Sequence, residues 1–330
     1  MILPYISGPS EISNEAYHHS PLYLDYLSSS GLKNYQISPK YARYAQLNPT
    51  DKSTPAMIEG TMYHDLLESY VNYGDNRAFP WISFNNPPIN SKTGNPYGND
   101  TQTYQYALME FQHANPGKKI GPVNFITNVR DMVGGLLYGD PDLSPDIKKL
   151  IKDGKAEQSH FLEHQGGLWK YRTDLKTAKK IIDWKKTTLE NPKVENFPSQ
   201  IIEYGYHISA AMYQYFEFIL TGVWKKFFWV VQENEAPYDF MILDASEWTW
   251  GDTSDPEAIV PKIGGQVFLK LMEQRLWCLE NNQYPGYSVF IKPDWKGHRI
   301  GVPEVPGWFL KQNDFNFFNP ITHDRTEIGE

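Results

Sequence analysis

A chain of 330 residues with 40% hydrophobic and 15% aromatic side chains can bury one substantial core, which excludes wholesale disorder. Its net charge of -8 at pH 7 argues against a protein that coats nucleic acid, because phosphate backbones reward clustered cations, yet it leaves room for a local basic channel. Cys278 is the only cysteine, so an intramolecular disulfide, a four-cysteine zinc site and an iron–sulfur cluster are excluded, and a reducing cytoplasm is expected.

Met1 to Ser10 has no basic stretch followed by an apolar one, as a signal peptide would, and no run approaches roughly 18 apolar residues, so no membrane association is expected. Residues 1–55 read as an irregular to helical region rich in Tyr, Ser, Asn and Pro. Within it Ser28-Ser29-Ser30 can cap a short helix running toward Ser38-Pro39. From Pro55 to Tyr73, Met57, Ile58, Met62, Leu66, Leu67, Tyr70 and Val71 form one stripe ahead of Gly74, which predicts a helix. Residues 80–100 read as a long Asn-, Pro- and Gly-rich loop. Helices are predicted over 103–113 and 127–138, then a β-rich centre over 156–188. A helix over 199–220, strands over 227–232 and 238–245, and a helix over 261–281 follow. The tail after Gly297 reads as an irregular arm, so the expected organisation is one domain over 1–297 and an extension over 298–330.

The chemistry concentrates in the β-rich centre. Strand alternation puts Ile181, Asp183 and Lys185 on one face and Ile182 and Trp184 on the other. The preceding strand ends at Asp174, so a hairpin would bring two carboxylates and a lysine together. Carboxylates are hard oxygen ligands suited to Mg²⁺, which polarises a phosphoryl oxygen and lowers the pKa of bound water. The lysine would orient that water and offset developing charge, and the Trp184 carbonyl is a further candidate ligand. The competing reading is an ordinary solvent-facing Asp–Lys pair.

Several motifs in order resemble the RecE-type exodeoxyribonuclease VIII family of the PD-(D/E)XK nuclease superfamily. They are Ile12-Ser-Asn-Glu-Ala-Tyr17-His18, Gly60-Thr-Met-Tyr-His64, Ala156-Glu157 with Ser159, Arg172-Thr-Asp174, Asp183-Trp-Lys185-Lys-Thr187-Thr188 and Tyr204-Gly-Tyr206-His207 with Tyr213. Cys278-Leu279 and Tyr284-Pro285 have counterparts near the family's end. The similarity runs from about residue 12 to residue 296.

The resemblance implies an α/β fold, a PD-(D/E)XK nuclease core with a mixed central β-sheet flanked by helices. It implies an Mg²⁺- or Mn²⁺-dependent exodeoxyribonuclease that degrades one strand of linear double-stranded DNA, 5′ to 3′, leaving single-stranded overhangs for recombination. The implied partners are duplex DNA ends, further copies of the chain in a ring-like homo-oligomer, and a RecT-like single-strand annealing protein. The implied setting is a phage or prophage system in the bacterial cytoplasm. By resemblance His64 joins Asp174 and Asp183 as a metal ligand, and Glu157 contacts metal or positions water, or else is a structural carboxylate. Tyr213 and Arg172 would line the DNA groove. Ser209 stands where the family carries Gln, a shorter donor that weakens the expected DNA contact. His207 is expected to pack, and Asp65 and Glu68 to be solvated or structural. Arg172, Lys176, Lys179, Lys180 and Lys186 would supply a positive groove, or else a solvated strand face. Two other readings stay open: a catalytically weak relative that binds DNA ends or recruits a partner, and an endonuclease with the same centre.

Overall fold

The computed structural model describes residues 12–49, 54–187 and 193–286. The expected arm over 298–330 and Thr188 of the hairpin motif lie outside the described residues.

The N-terminal region is more helical than its composition suggests. Ser13 caps α1 (Asn14–His19) and Ser28 caps α2 (Ser29–Lys33). The helix expected to run toward Ser38 stops at Lys33, passes through a 3₁₀ turn and restarts as α3 (Pro39–Leu47), capped by Ser38 with Pro39 at its first position. That restart follows from chemistry: a serine hydroxyl satisfies one orphan N–H, and proline needs none. Thr54 and Pro55 open α4 (Pro55–Tyr73) in the same way, and Gly74, at φ 77°, closes it.

The region read as a loop over 80–100 contains a short strand, β1 (Trp81–Ile82), which pairs in parallel with β2 (Lys119–Ile120) beyond the expected helix, α5 (Gln102–Ala114). Then come α6 (Val123–Tyr138) and α7 (Ser144–Asp153). In α7 Ile147, Leu150 and Ile151 recur at helical spacing behind Pro145, a signal absent from the expectations above. The central strands are β3 (Lys155–His164), β4 (Gly167–Lys176) and β5 (Lys180–Lys186). The predicted helix over 199–220 is two, α8 (Phe197–Glu203) and α9 (Tyr206–Thr221), broken at Gly205, whose φ of 63° is left-handed. That conformation suits glycine. The remaining elements are β6 (Lys226–Gln232), β7 (Phe240–Asp244) and α10 (Ile263–Asn281).

Among the described residues the five main strands form one mixed sheet in the order β3-β4-β5-β6-β7, antiparallel except for the parallel β5–β6 pair. A parallel pair needs a crossover, and α8 and α9 supply it. One sheet face packs Leu175, Ile182, Trp184 and Val230 against α4 and α6. The other packs Trp169 and Tyr171 against α2, α9 and α10, and Ile181, Phe227 and Trp229 against α8 and α9. Ile181 thus faces one layer and Ile182 with Trp184 the other, as period-two alternation in β5 requires. The result is an α/β three-layer fold.

Along β4 the alternation slips. Trp169 and Tyr171 pack toward α9, whereas Leu175, at the same parity, packs toward α4 and α6. The slip coincides with Glu157 of β3, which sits opposite Asp174 between the pairs Ala156↔Leu175 and Gln158↔Thr173 and has φ 48°. A left-handed non-glycine residue costs about 1–2 kcal/mol, so the surrounding sheet imposes this conformation.

Candidate active site

Three strands and two helices bring the candidate residues together. The β4–β5 ladder runs through Lys176↔Ile181 and Leu175↔Ile182, and one step further in that register Asp174 falls opposite Asp183. There the strands part, and the Trp184 N–H donates to the Asp174 carboxylate at 2.8 Å instead of to a ladder partner. Glu157, Asp174 and Asp183 therefore form a row across β3, β4 and β5. From α4, His64 reaches this row, its Nδ1 lying 3.6 Å from Asp174 Oδ1 and 3.8 Å from Glu157 Oε1.

One ligand atom from each of His64, Glu157 and Asp174 lies within 4.8 Å of the others. An imidazole nitrogen with two carboxylates fits a hard or borderline divalent cation, so the donor set suits the implied metal. Asp183 is not one of these three, but its carboxylate shares a hydrogen bond with Asp174. The Asp183 carboxylate is 2.7 Å from Lys185 Nζ, and the Trp184 carbonyl accepts from Lys185 Nζ at 3.3 Å. Glu157, expected to contact metal or water, is a full member of the trio.

The electrostatics follow from crowding negative groups in a half-buried place. Burial disfavours a protonated His64, but the pull of Asp174 and Glu157 outweighs it and raises the ring's pKa to about 9. Burial also pushes the Asp183 carboxyl up, and neighbouring Asp174 adds to this. The Lys185 ion pair pulls the other way and loses. Lys185 itself is raised: Asp183 and Asp174 overcome the cost of burying the ammonium, which also sits 5.0 Å from the Tyr206 ring centre.

The cleft in front of these groups has a volume of about 860 Å³. Tyr213 lines it from α9, shares a hydrogen bond with Ser29 and is raised by burial. Ser209, one turn earlier, is half-buried and does not line the cleft. His207 is buried, its Nδ1 3.0 Å from the Ile201 carbonyl, in keeping with a packing role.

The expected positive groove is largely neutralised. Arg172 pairs with Glu157 at 2.9 Å and donates to the Ile12 carbonyl at 2.8 Å. Lys176 pairs with buried Glu217 at 2.6 Å, and Lys186 with Glu59 at 2.9 Å. Lys179 and Lys180 are exposed. Lys33 of α2 was not among the expected site residues. It donates to the Tyr204 carbonyl at 2.9 Å, and burial and the nearby Lys185 charge lower it to about 8 despite Asp183. No local sequence signal marks it, because only the packing of α2 on α9 brings it near β5.

A family model described as "PDDEXK-like domain of unknown function (DUF3799)" matches residues 142–258, from α7 to the loop before α10. A solved structure described as a "Putative exonuclease" from Eubacterium rectale aligns over 92% of this chain and 98% of its own, with 16% identity and a TM-score of 0.49. No curated protein sequence matches. The matched stretch carries Glu157, Asp174, Asp183 and Lys185, and the mixed five-stranded sheet with helices on both faces is that of a PD-(D/E)XK nuclease core. Among the described residues no helix is long and apolar enough to cross a membrane.

Proposed function

We propose that this chain is a metal-dependent nuclease of the RecE type, an exodeoxyribonuclease that shortens one strand of linear duplex DNA. The observation that carries the proposal is the convergence of His64, Glu157 and Asp174 within 4.8 Å beside the Asp183–Lys185 pair.

In this reading His64, Glu157 and Asp174 hold the cation, with Asp183 completing its surroundings. When bound, Mg²⁺ or Mn²⁺ would supply Lewis-acid polarisation of the phosphodiester and a more acidic water. Asp183 fixes the Lys185 ammonium at the site, where its positive charge would steady the attacking water and the phosphate oxygens. Arg172 fixes Glu157 and, through the Ile12 carbonyl, ties the N-terminal motif to the cleft. Tyr213 is proposed as a phosphate contact. Ser209, set back from the cleft, is a weaker candidate, and Lys186, paired with Glu59, is proposed to hold β5 against α4 rather than to bind DNA directly.

The finer features come from the resemblance: 5′ to 3′ polarity, production of overhangs, assembly with further copies and work beside an annealing protein in a phage setting. A second reading, end binding without hydrolysis, draws on the net charge of -8 and on Ser209 standing where the family carries Gln. Mn²⁺ titration of wild type and of Asp174→Asn, read by calorimetry, tests the shared foundation. Binding near one cation per site in wild type, weakened about tenfold or more in the variant, is expected; equal binding by both would remove the metal centre from the proposal.

A further inference from the structure

Resting on the nuclease reading, we infer that Lys119, carried by the β1–β2 ribbon, is a substrate-phosphate contact in the cleft that Tyr213 also lines. The case begins with charge. Asp65, Glu68, Glu157 and Asp174 line the cleft, against Lys119 and Arg172 as its lysine and arginine residues among those described. A phosphate backbone entering here meets a carboxylate-rich wall and needs countercharge from the protein as well as from a cation.

Arg172 is poorly placed to give it. Its side chain is 14% exposed and already serves Glu157 and the Ile12 carbonyl. Lys119 is 47% exposed. An ammonium has three N–H donors, and among the described residues its hydrogen-bond acceptor is Asp65 Oδ2, at 2.8 Å. Donors therefore remain for a phosphate oxygen.

The position is built rather than accidental. Asp65 Oδ2 also accepts from Trp81 Nε1 at 2.6 Å, and the Lys119 ammonium lies 5.3 Å from the Trp81 ring centre. Asp65 directly follows His64 on α4, so the ammonium is anchored to the neighbour of a proposed metal ligand. The ribbon is held closely to α4: a Cβ on Gly121 would come within 3.0 Å of the Trp81 ring, and closer still to the Met62 side chain. Backbone bonds from Lys119 N–H to the Pro80 carbonyl and from Gly121 N–H to the Ile82 carbonyl, at 2.8 and 2.9 Å, fix the register. A mere surface staple would be worth little to stability.

The test is binding of a fluorescently labelled blunt duplex to full-length wild type, Lys119→Met and Lys119→Arg, with Ca²⁺ in place of Mg²⁺, over a range of salt. Lys119→Met is expected to bind about tenfold more weakly and to lower the slope of log affinity against log salt by about one, while Lys119→Arg keeps both near wild type. Thermal melting should show all three equally folded. If wild type binds and Lys119→Met matches it in affinity and slope, this inference fails and the nuclease reading stands. If wild type binds no duplex at all, the nuclease reading fails and takes this inference with it.

Discussion

Asp183 and Lys185 lie two apart on β5, and their 2.7 Å contact makes either substitution informative. Lys185→Ala or Asp183→Asn is expected to lower Mg²⁺-dependent turnover about 10²–10³-fold, the usual effect of losing one preorganised charge. Circular dichroism should show the fold retained. A second residue-scale prediction concerns His160, buried against Tyr171 and Glu217. Its Nε2 is the acceptor for Lys176 Nζ at 2.8 Å, which requires a neutral ring, although Glu217 lies only 3.4 Å away. Burial, then the Lys176 and Lys225 charges, drop its pKa to about 3. A depressed histidine takes up its proton more readily when unfolded, so stability is full above about pH 6.5 and falls as pH descends toward 3. His160→Gln should flatten that acid limb of a denaturation–pH profile; an unchanged limb would mean the ring is not the buried neutral group described. At this scale alternation put Asp183 and Lys185 on one face and the expected hairpin brought Asp174 beside them, which the residues alone did not separate from a solvent-facing ion pair. His64 and Glu157 needed the resemblance, and Lys33 and Lys119 needed the fold, since their neighbours lie far off in sequence.

Elements read well where periodicity was long and poorly where local chemistry overrode it. The alternation of β5 predicted its faces, and the stripe of α4 predicted its buried face apart from Met57, which is 58% exposed, and Tyr63, which the stripe left out and the core buries. The αL residue at Gly205 split one expected helix into α8 and α9, and that break places Tyr206 over Lys185. The strand irregularity at Glu157 had no sequence signature, because it comes from the sheet around it. Packing of α10 gives an element-scale prediction. A Cβ on Gly264 would come within 2.5 Å of the His207 and Trp248 carbonyl oxygens, and backbone cannot move aside as a flexible side chain can. Gly264→Ala should therefore cost about 1–3 kcal/mol, measurable by urea denaturation, and a neutral result would show that α10 docks more loosely than described. Among the buried aromatics, Trp184 bridges core and site: its ring packs with α4 and α6 while its backbone N–H donates to the Asp174 carboxylate.

For the molecule as a whole, the net charge of -8 is matched by a site whose cations are mostly paired with carboxylates. Substrate capture should then lean on the metal as well as on protein charge. Duplex binding is expected to weaken sharply in chelator and to fall steeply with salt, as anisotropy titration with and without Ca²⁺ would show; binding indifferent to the cation would contradict this balance. The central claim, that the His64–Glu157–Asp174 cluster and the Asp183–Lys185 pair form one hydrolytic centre, is tested most directly by digesting a linear duplex labelled at one end, beside a closed circle of the same sequence. With Mg²⁺, wild type should release label from the linear duplex and spare the circle; chelator should abolish release, and Asp183→Asn should slow it about 10²–10³-fold. Release that persists in chelator, or at full rate in Asp183→Asn, would contradict it.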